Sequence, residues 1–156
     1  MNILFSVCGR AGSKVFKNKN LKDFLGHPLI YYSLSVIDLY KKQYGSGERI
    51  DVVLNTDSAE LIGIARAQNM VEISVIEREE SLGGDSVPKV SVIKDCLVKM
   101  SERNNVCYDM AVDLDITSPI RIVRDVRNAI EKSLITKKRT WFIPSLDQEE
   151  IPILIW

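Results

Sequence analysis

Between Cys8 and Asn20 the chain reads Cys-Gly-Arg-Ala-Gly-Ser-Lys-Val-Phe-Lys-Asn-Lys-Asn. Gly9, Gly12 and Ser13 stand among Arg10, Lys14, Lys17 and Lys19, with Lys22 just beyond. Glycines let backbone N–H groups close on an anion, and cations neutralise it. Residues of these types at this spacing suit a polyanion, and a triphosphate is the obvious guest. The order is not that of a Walker loop, which needs Gly-x-x-x-x-Gly-Lys-Ser/Thr opening a helix, and the third glycine of a dinucleotide fingerprint is missing. On these residues alone the competing reading is a solvated basic loop that only turns the chain.

The loop needs a scaffold, and the pattern around it supplies one. Residues 3–7 form a short apolar run that reads as a buried strand, so the loop leaves the carboxyl end of a first strand, where open α/β sheets bind ligands. Residues 28–44 read as a helix with Pro28 in its first turn. Leu29, Tyr32, Val36, Leu39 and Tyr40 are expected on its apolar face. Its tyrosines, Tyr31 and Tyr44 included, suit core and rim packing better than base stacking. Gly45 to Gly47 should end the helix. Strands are expected over 50–54, 71–76 and 108–114, and helices from a Ser58 cap to about residue 69, from Asp85 or Ser86 to about 103, and over 121–135 with Ile122, Val126, Ala129 and Ile130 inward. Strand–helix alternation predicts an α/β fold with a mainly parallel sheet and helices on both faces.

Composition bounds the function. The 156 residues suffice for one domain with a real core. The 21 basic and 21 acidic residues balance, which argues against a general nucleic-acid or membrane-surface binder; the basic cluster is a local field. No secretory signal or membrane span is read. Cys8, Cys96 and Cys107, odd in number and widely spaced, fit free thiols in the cytoplasm and show no metal spacing. The lone His27, before a proline, reads as a turn residue.

Arg10 to Lys14 followed by Lys19-Asn20 resembles the signature of the CMP-sialic acid synthetases, the acylneuraminate cytidylyltransferases. Gly26-His-Pro-Leu-Ile-Tyr-Tyr32, Asn55-Thr-Asp57, the spacing from Arg78 to Asp85, and Leu114-Asp-Ile-Thr-Ser-Pro-Ile-Arg121 are similar to later motifs of that family, in the same order. The resemblance implies a three-layer Rossmann-like nucleotidyltransferase fold. It also implies a reaction in which a sugar-acid hydroxyl attacks the α-phosphate of CTP and pyrophosphate leaves. Arg10, Lys14 and Lys19 would then be catalytic, neutralising phosphates and leaving group, with Gly12, Ser13 and Asn20 around the nucleotide. Arg78 and the loop through Asp85 would read the cytosine edge. Thr117, Ser118 and Arg121 would line the sugar-acid side. Mg2+ would bridge phosphate oxygens and a carboxylate. The implied partners are CTP and a nonulosonic acid, with self-association into a homo-oligomer, and neither nucleic acid nor membrane. The alternatives are another sugar nucleotidyltransferase, or a catalytically dead nucleotide-binding remnant.

Departures from the family pattern qualify this. Val15 stands where the family has glycine, and Asp115 where it has glutamine. Asp113 and Asp115 would project from the same side of a strand, either as metal ligands or merely as its end. An added carboxylate beside an anionic sugar favours a relative of sialic acid at least as much as sialic acid itself. The resemblance fades near residue 139. The expectation is a partial cytidylyltransferase domain over 1–138, incomplete at the C-terminus, and an aberrant apolar tail over 139–156 that exposes hydrophobic surface. One permitted coding of residues 151–156, read in another frame, gives Asn-Pro-Tyr-Phe-Asn-Met, a segment similar to the family's. A frameshift near residue 139 is therefore expected.

Overall fold

A computed structural model describes residues 1–12, 18–84, 86–136, 141–144 and 150–155. Strand β1 (Asn2–Cys8) forms where the apolar run is buried on both faces, as a central parallel strand requires. A two-strand hairpin follows, β2 (Asp23–Phe24) and β3 (His27–Pro28). Its two-residue turn holds Leu25 at φ 49° and Gly26 at φ 83°, the positive pair that a tight hairpin demands. His27 is thus a turn-flanking residue on the surface.

Helix α1 (Leu29–Tyr44), β4 (Arg49–Thr56), α2 (Ala59–Ala67), β5 (Ser74–Glu77), α3 (Lys89–Asn104), β6 (Met110–Asp113), α4 (Val123–Thr136), β7 (Trp141–Pro144) and β8 (Glu150–Ile155) complete the alternation. The main sheet runs β5-β4-β1-β6-β8-β7; the first five strands are parallel and β7 is antiparallel to β8. The chain moves outward from β1 through β4 to β5, then α3 carries it back to β6 on the other side of β1. The direction of winding reverses between β1 and β6, the point at which open α/β sheets form a ligand crevice.

Helices α1, α2 and α4 share one core with Ile3, Phe5 and Val7 of β1, while α3 covers the opposite face against Leu4, Val53, Ala111 and Ile153. This is the expected three-layer arrangement.

Details differ from the sequence reading. Helix α1 buries Ile30, Leu34, Ile37 and Tyr40 and leaves Leu39 exposed, so its buried stripe is rotated from the expected one. Ser58 does cap α2, its Oγ accepting from Leu61 N. The helix ends early because Gln68 folds over the next turn, accepting from Met70 N and Val71 N and donating to Val71 O. That turn also delays β5. Helix α3 starts at Lys89 rather than at 85 or 86, with Pro88 as its N-cap, since a residue before proline is kept out of the helical region. Ile122 lies outside α4 and is exposed.

The C-terminal residues correct a larger expectation. Strand β8 extends the parallel sheet alongside β6, with Ala111 opposite Ile153 and Asp113 opposite Ile155. Ile153 is fully buried, and Leu154 and Ile155 are half-buried against the two cores. An apolar run without helical period is what a buried parallel strand looks like, and Ile153 to Ile155 pack as one.

Candidate active site

The carboxyl ends of β1, β5 and β6 and the start of α3 enclose a cleft of about 210 Å³. Among the described residues, Arg10, Lys19, Arg78 and Lys89 bring positive charge to it. Asn20, Cys8 and Asp115 add polar atoms, and Leu82, Val87 and Val92 form an apolar wall.

Strand β1 delivers the first part. Gly9 N donates to Asn55 O at 3.1 Å, extending the β1–β4 ladder past Cys8. A Cβ on Gly9 would lie 2.7 Å from both Ile116 Cδ1 and Leu61 Cδ2, so only glycine passes here without displacing its neighbours. Ala11 N donates to Asp57 Oδ1 at 2.5 Å. Gly12 takes φ +70°, a left-handed conformation that glycine adopts without strain. Residues 13–17 lie outside the described residues, and with them Ser13 and Lys14. The chain returns through a 3-10 turn, Lys19–Leu21, in which buried Asn20 donates through Nδ2 to Arg10 O at 3.0 Å. Asn20 therefore ties the two ends of the loop together, and Lys19 beside it faces the cleft.

Strand β4 positions the next cation. Asn55 is fully buried; its Oδ1 accepts from Arg78 Nε at 2.7 Å and its backbone oxygen from Arg78 Nη2 at 3.2 Å. Two contacts fix the plane of the guanidinium at the cleft. Asp85, the expected partner of Arg78 in reading a base, lies outside the described residues.

Strand β6 ends in a carboxylate pair that meets one ammonium. Lys89 Nζ lies 2.5 Å from Asp113 Oδ2 as an ion pair and 2.9 Å from Asp115 Oδ2. Asp113 is fully buried behind the cleft, its Oδ1 taken by the Ser6 hydroxyl at 2.9 Å. Asp115 Oδ1 accepts from Thr117 N at 2.8 Å and Thr117 Oγ1 at 2.7 Å. Burial pushes the Asp113 carboxyl up, against the opposing pull of Lys89 and Ser6. Burial works the same way on Asp115, but the Thr117 hydroxyl and Lys89 outweigh it and hold that carboxyl at about 2. Burial pushes the Lys89 ammonium down, while Asp113 and then Asp115 more than reverse this. The Cys8 thiol is pushed well up by its contact with Cys96, by burial and by Asp113.

These contacts decide which of the expected site residues fit a metal. Asp113 is fully buried and has no face on the cleft, so it does not fit. Asp115 borders the cleft and fits as a single protein ligand, the usual situation for Mg2+ carried on phosphates. Among the described residues no three His, Cys, Asp or Glu side chains form a metal-binding group.

Thr117 and Ser118 are exposed on the turn after β6, away from the cleft lining. Arg121 does not line a sugar-acid side. It is buried, with Nη2 on Asp115 O at 2.8 Å and Nη1 on Ser33 Oγ at 3.3 Å. It clamps the Asp115 turn onto α1. Sequence reasoning missed Lys89 and the clamping role of Asn55. A signal for Lys89 was present: a lysine directly after a proline that caps a helix occupies the end where helices favour acids.

The cytidylyltransferase family matches residues 6–142. The chain belongs to this family. This chain is 31% identical over 120 residues to the CMP-N,N'-diacetyllegionaminic acid synthase of Campylobacter jejuni subsp. jejuni, covering 75% of this chain and 46% of that protein. It is 29% identical over 153 residues to the pseudaminic acid cytidylyltransferase of the same organism, covering 98% and 61%. It spans about half the length of the curated relatives it matches. Its fold superposes on CMP:2-keto-3-deoxy-manno-octonic acid synthetase complexed with CTP at a TM-score of 0.62 and 20% identity, covering 89% of this chain and 50% of that one.

Proposed function

We propose that the cleft binds CTP and that the chain carries the nucleotide-activating half of a cytidylyl transfer to a sialic-acid-like nonulosonic acid. A hydroxyl of the sugar acid attacks the α-phosphorus, the bond to the bridging oxygen breaks, and pyrophosphate leaves with that electron pair. The observation that carries this reading is the convergence of Arg10, Lys19, Arg78 and Lys89 on one crevice at the reversal point of the sheet. The names of the relatives and the CTP complex of the structural neighbour support it.

In this reading Arg10 and Lys19 hold phosphate oxygens, the former as a planar fork, and stabilise charge that builds on the leaving group. Arg78, fixed by Asn55, faces the base. Asp115 would hold a magnesium ion, which when bound supplies charge neutralisation at the phosphates. The free thiols Cys8, Cys96 and Cys107 support a cytoplasmic setting; among the described residues no helix is long and apolar enough to cross a membrane.

The test is calorimetric titration of CTP with Mg2+ into the full chain, beside UTP, ATP and GTP. Micromolar CTP binding that is lost in Arg10→Ala and exceeds binding of the other nucleotides is expected. Equal affinity for all four, or none for CTP in a cooperatively melting protein, overturns the reading. Pyrophosphate release with candidate nonulosonic acids then tests turnover.

A further inference from the structure

We propose that Lys89 is a phosphate-contacting residue of the cleft, its ammonium presented to the bound anion by Asp113 and Asp115. The inference rests on the reading of the cleft as a nucleotide site.

Three observations carry it. Lys89 lines the cleft together with Arg10 and Lys19. Its ammonium, with three N–H donors and no acceptor, donates to Asp115 Oδ2 and meets Asp113 Oδ2 as an ion pair, and the side chain keeps 30% of its surface exposed. Its position also conflicts with local preference. Lys89 is the first residue of α3, whose first turn holds no acidic side chain. A cation there meets the positive end of the helix dipole, and local choices that oppose their own element mark functional positions. An anion in the cleft resolves the conflict, because helix end and ammonium then act on the same negative charge. The charges fit as well. Among the described residues, Arg10, Lys19, Arg78 and Lys89 line the cleft with Asp115 as the one carboxylate.

The alternative is structural: Lys89 only neutralises buried Asp113. The two separate in a double-mutant cycle. CTP with Mg2+, and separately inorganic tripolyphosphate, are titrated into the full chain and into Lys89→Met, Asp113→Asn and the double variant. The double variant has no unpaired buried charge at this position, which protects folding where Lys89→Met alone disturbs it. Loss of a charged hydrogen bond to phosphate weakens binding by roughly 10- to 100-fold. That loss is expected for both probes on removing Lys89, and by a similar factor whether Asp113 is intact or already replaced by asparagine. A loss that vanishes in the Asp113→Asn background overturns the proposal, as does unchanged affinity in Lys89→Met. Lys89-dependent binding of tripolyphosphate without preferential CTP binding supports the phosphate contact and refutes the nucleotide reading alone. A wild-type chain that binds neither probe refutes both.

Discussion

Replacing Asp115 by asparagine removes a charge and leaves an acceptor for Thr117. The Asp115 carboxyl sits at about 2 against an ordinary value of 3.8, a difference worth roughly 2.4 kcal/mol at ~1.36 kcal/mol per pH unit. Its side chain is 38% exposed, and solvent screening reduces the figure to about 1–1.5 kcal/mol. For a chain of this size that is about 2–6 °C in melting temperature. The sign follows from the depressed value. The stabilisation is complete above the unfolded value near 3.8 and disappears as pH falls through about 2. Urea unfolding of wild type and Asp115→Asn from about pH 6 down to about pH 3 reads the difference directly; the other carboxyls are common to both chains. The gap should be full at the upper end and narrow below about pH 4. A variant as stable as wild type at pH 6, or a gap that does not change with acid, refutes the claim that Lys89 and Thr117 hold this carboxylate.

Two further outcomes test the scaffold. Gly9→Ala forces a methyl against Ile116 and Leu61 and presses on Asn20; overpacking should lower stability by about 1–3 kcal/mol in chemical denaturation, with weaker CTP binding in the calorimeter. Unchanged stability would show that the turn after β1 has room the structure denies it. Ile153→Ala empties a fully buried position in β8 and should lower unfolding free energy by about 2–5 kcal/mol; an unaltered urea midpoint would remove residues 150–155 from the sheet.

Much of this was legible in the sequence for physical reasons. Ile3 to Val7 has no polar periodicity because both faces of β1 are covered, and the alternation that follows permits little besides a parallel sheet. The loop residues Arg10, Lys19 and Asn20 stood out because glycine and cations cluster within one short stretch, and the structure brings these three to one cleft. What stayed hidden depends on partners distant in the chain. Arg121 carries the same charge as Arg10, yet it turns inward because Ser33 and the Asp115 carbonyl wait there. Asp113 and Asp115 look equivalent, and only the fold shows one sealed behind the sheet and the other at the rim. Lys89 drew no notice among helix residues because its partners lie on another strand. The last strand was misread because an edge-proximal parallel strand and an errant apolar tail have the same composition.

The reversal at β1 also sets an order of events during synthesis. The strand is made well before its second neighbour: the Ser6–Asp113 contact bridges 107 residues. At roughly 5–20 residues per second, the nascent chain must carry β1 with one open, uncharged edge for on the order of 5–20 s before β6 emerges to close it. Contacts so far apart in the chain are also the slow ones to form. The feature that creates the crevice is therefore the same one that leaves the newborn chain most open to mispairing, and a chaperone that shields a bare strand edge would act on residues 3–7 first.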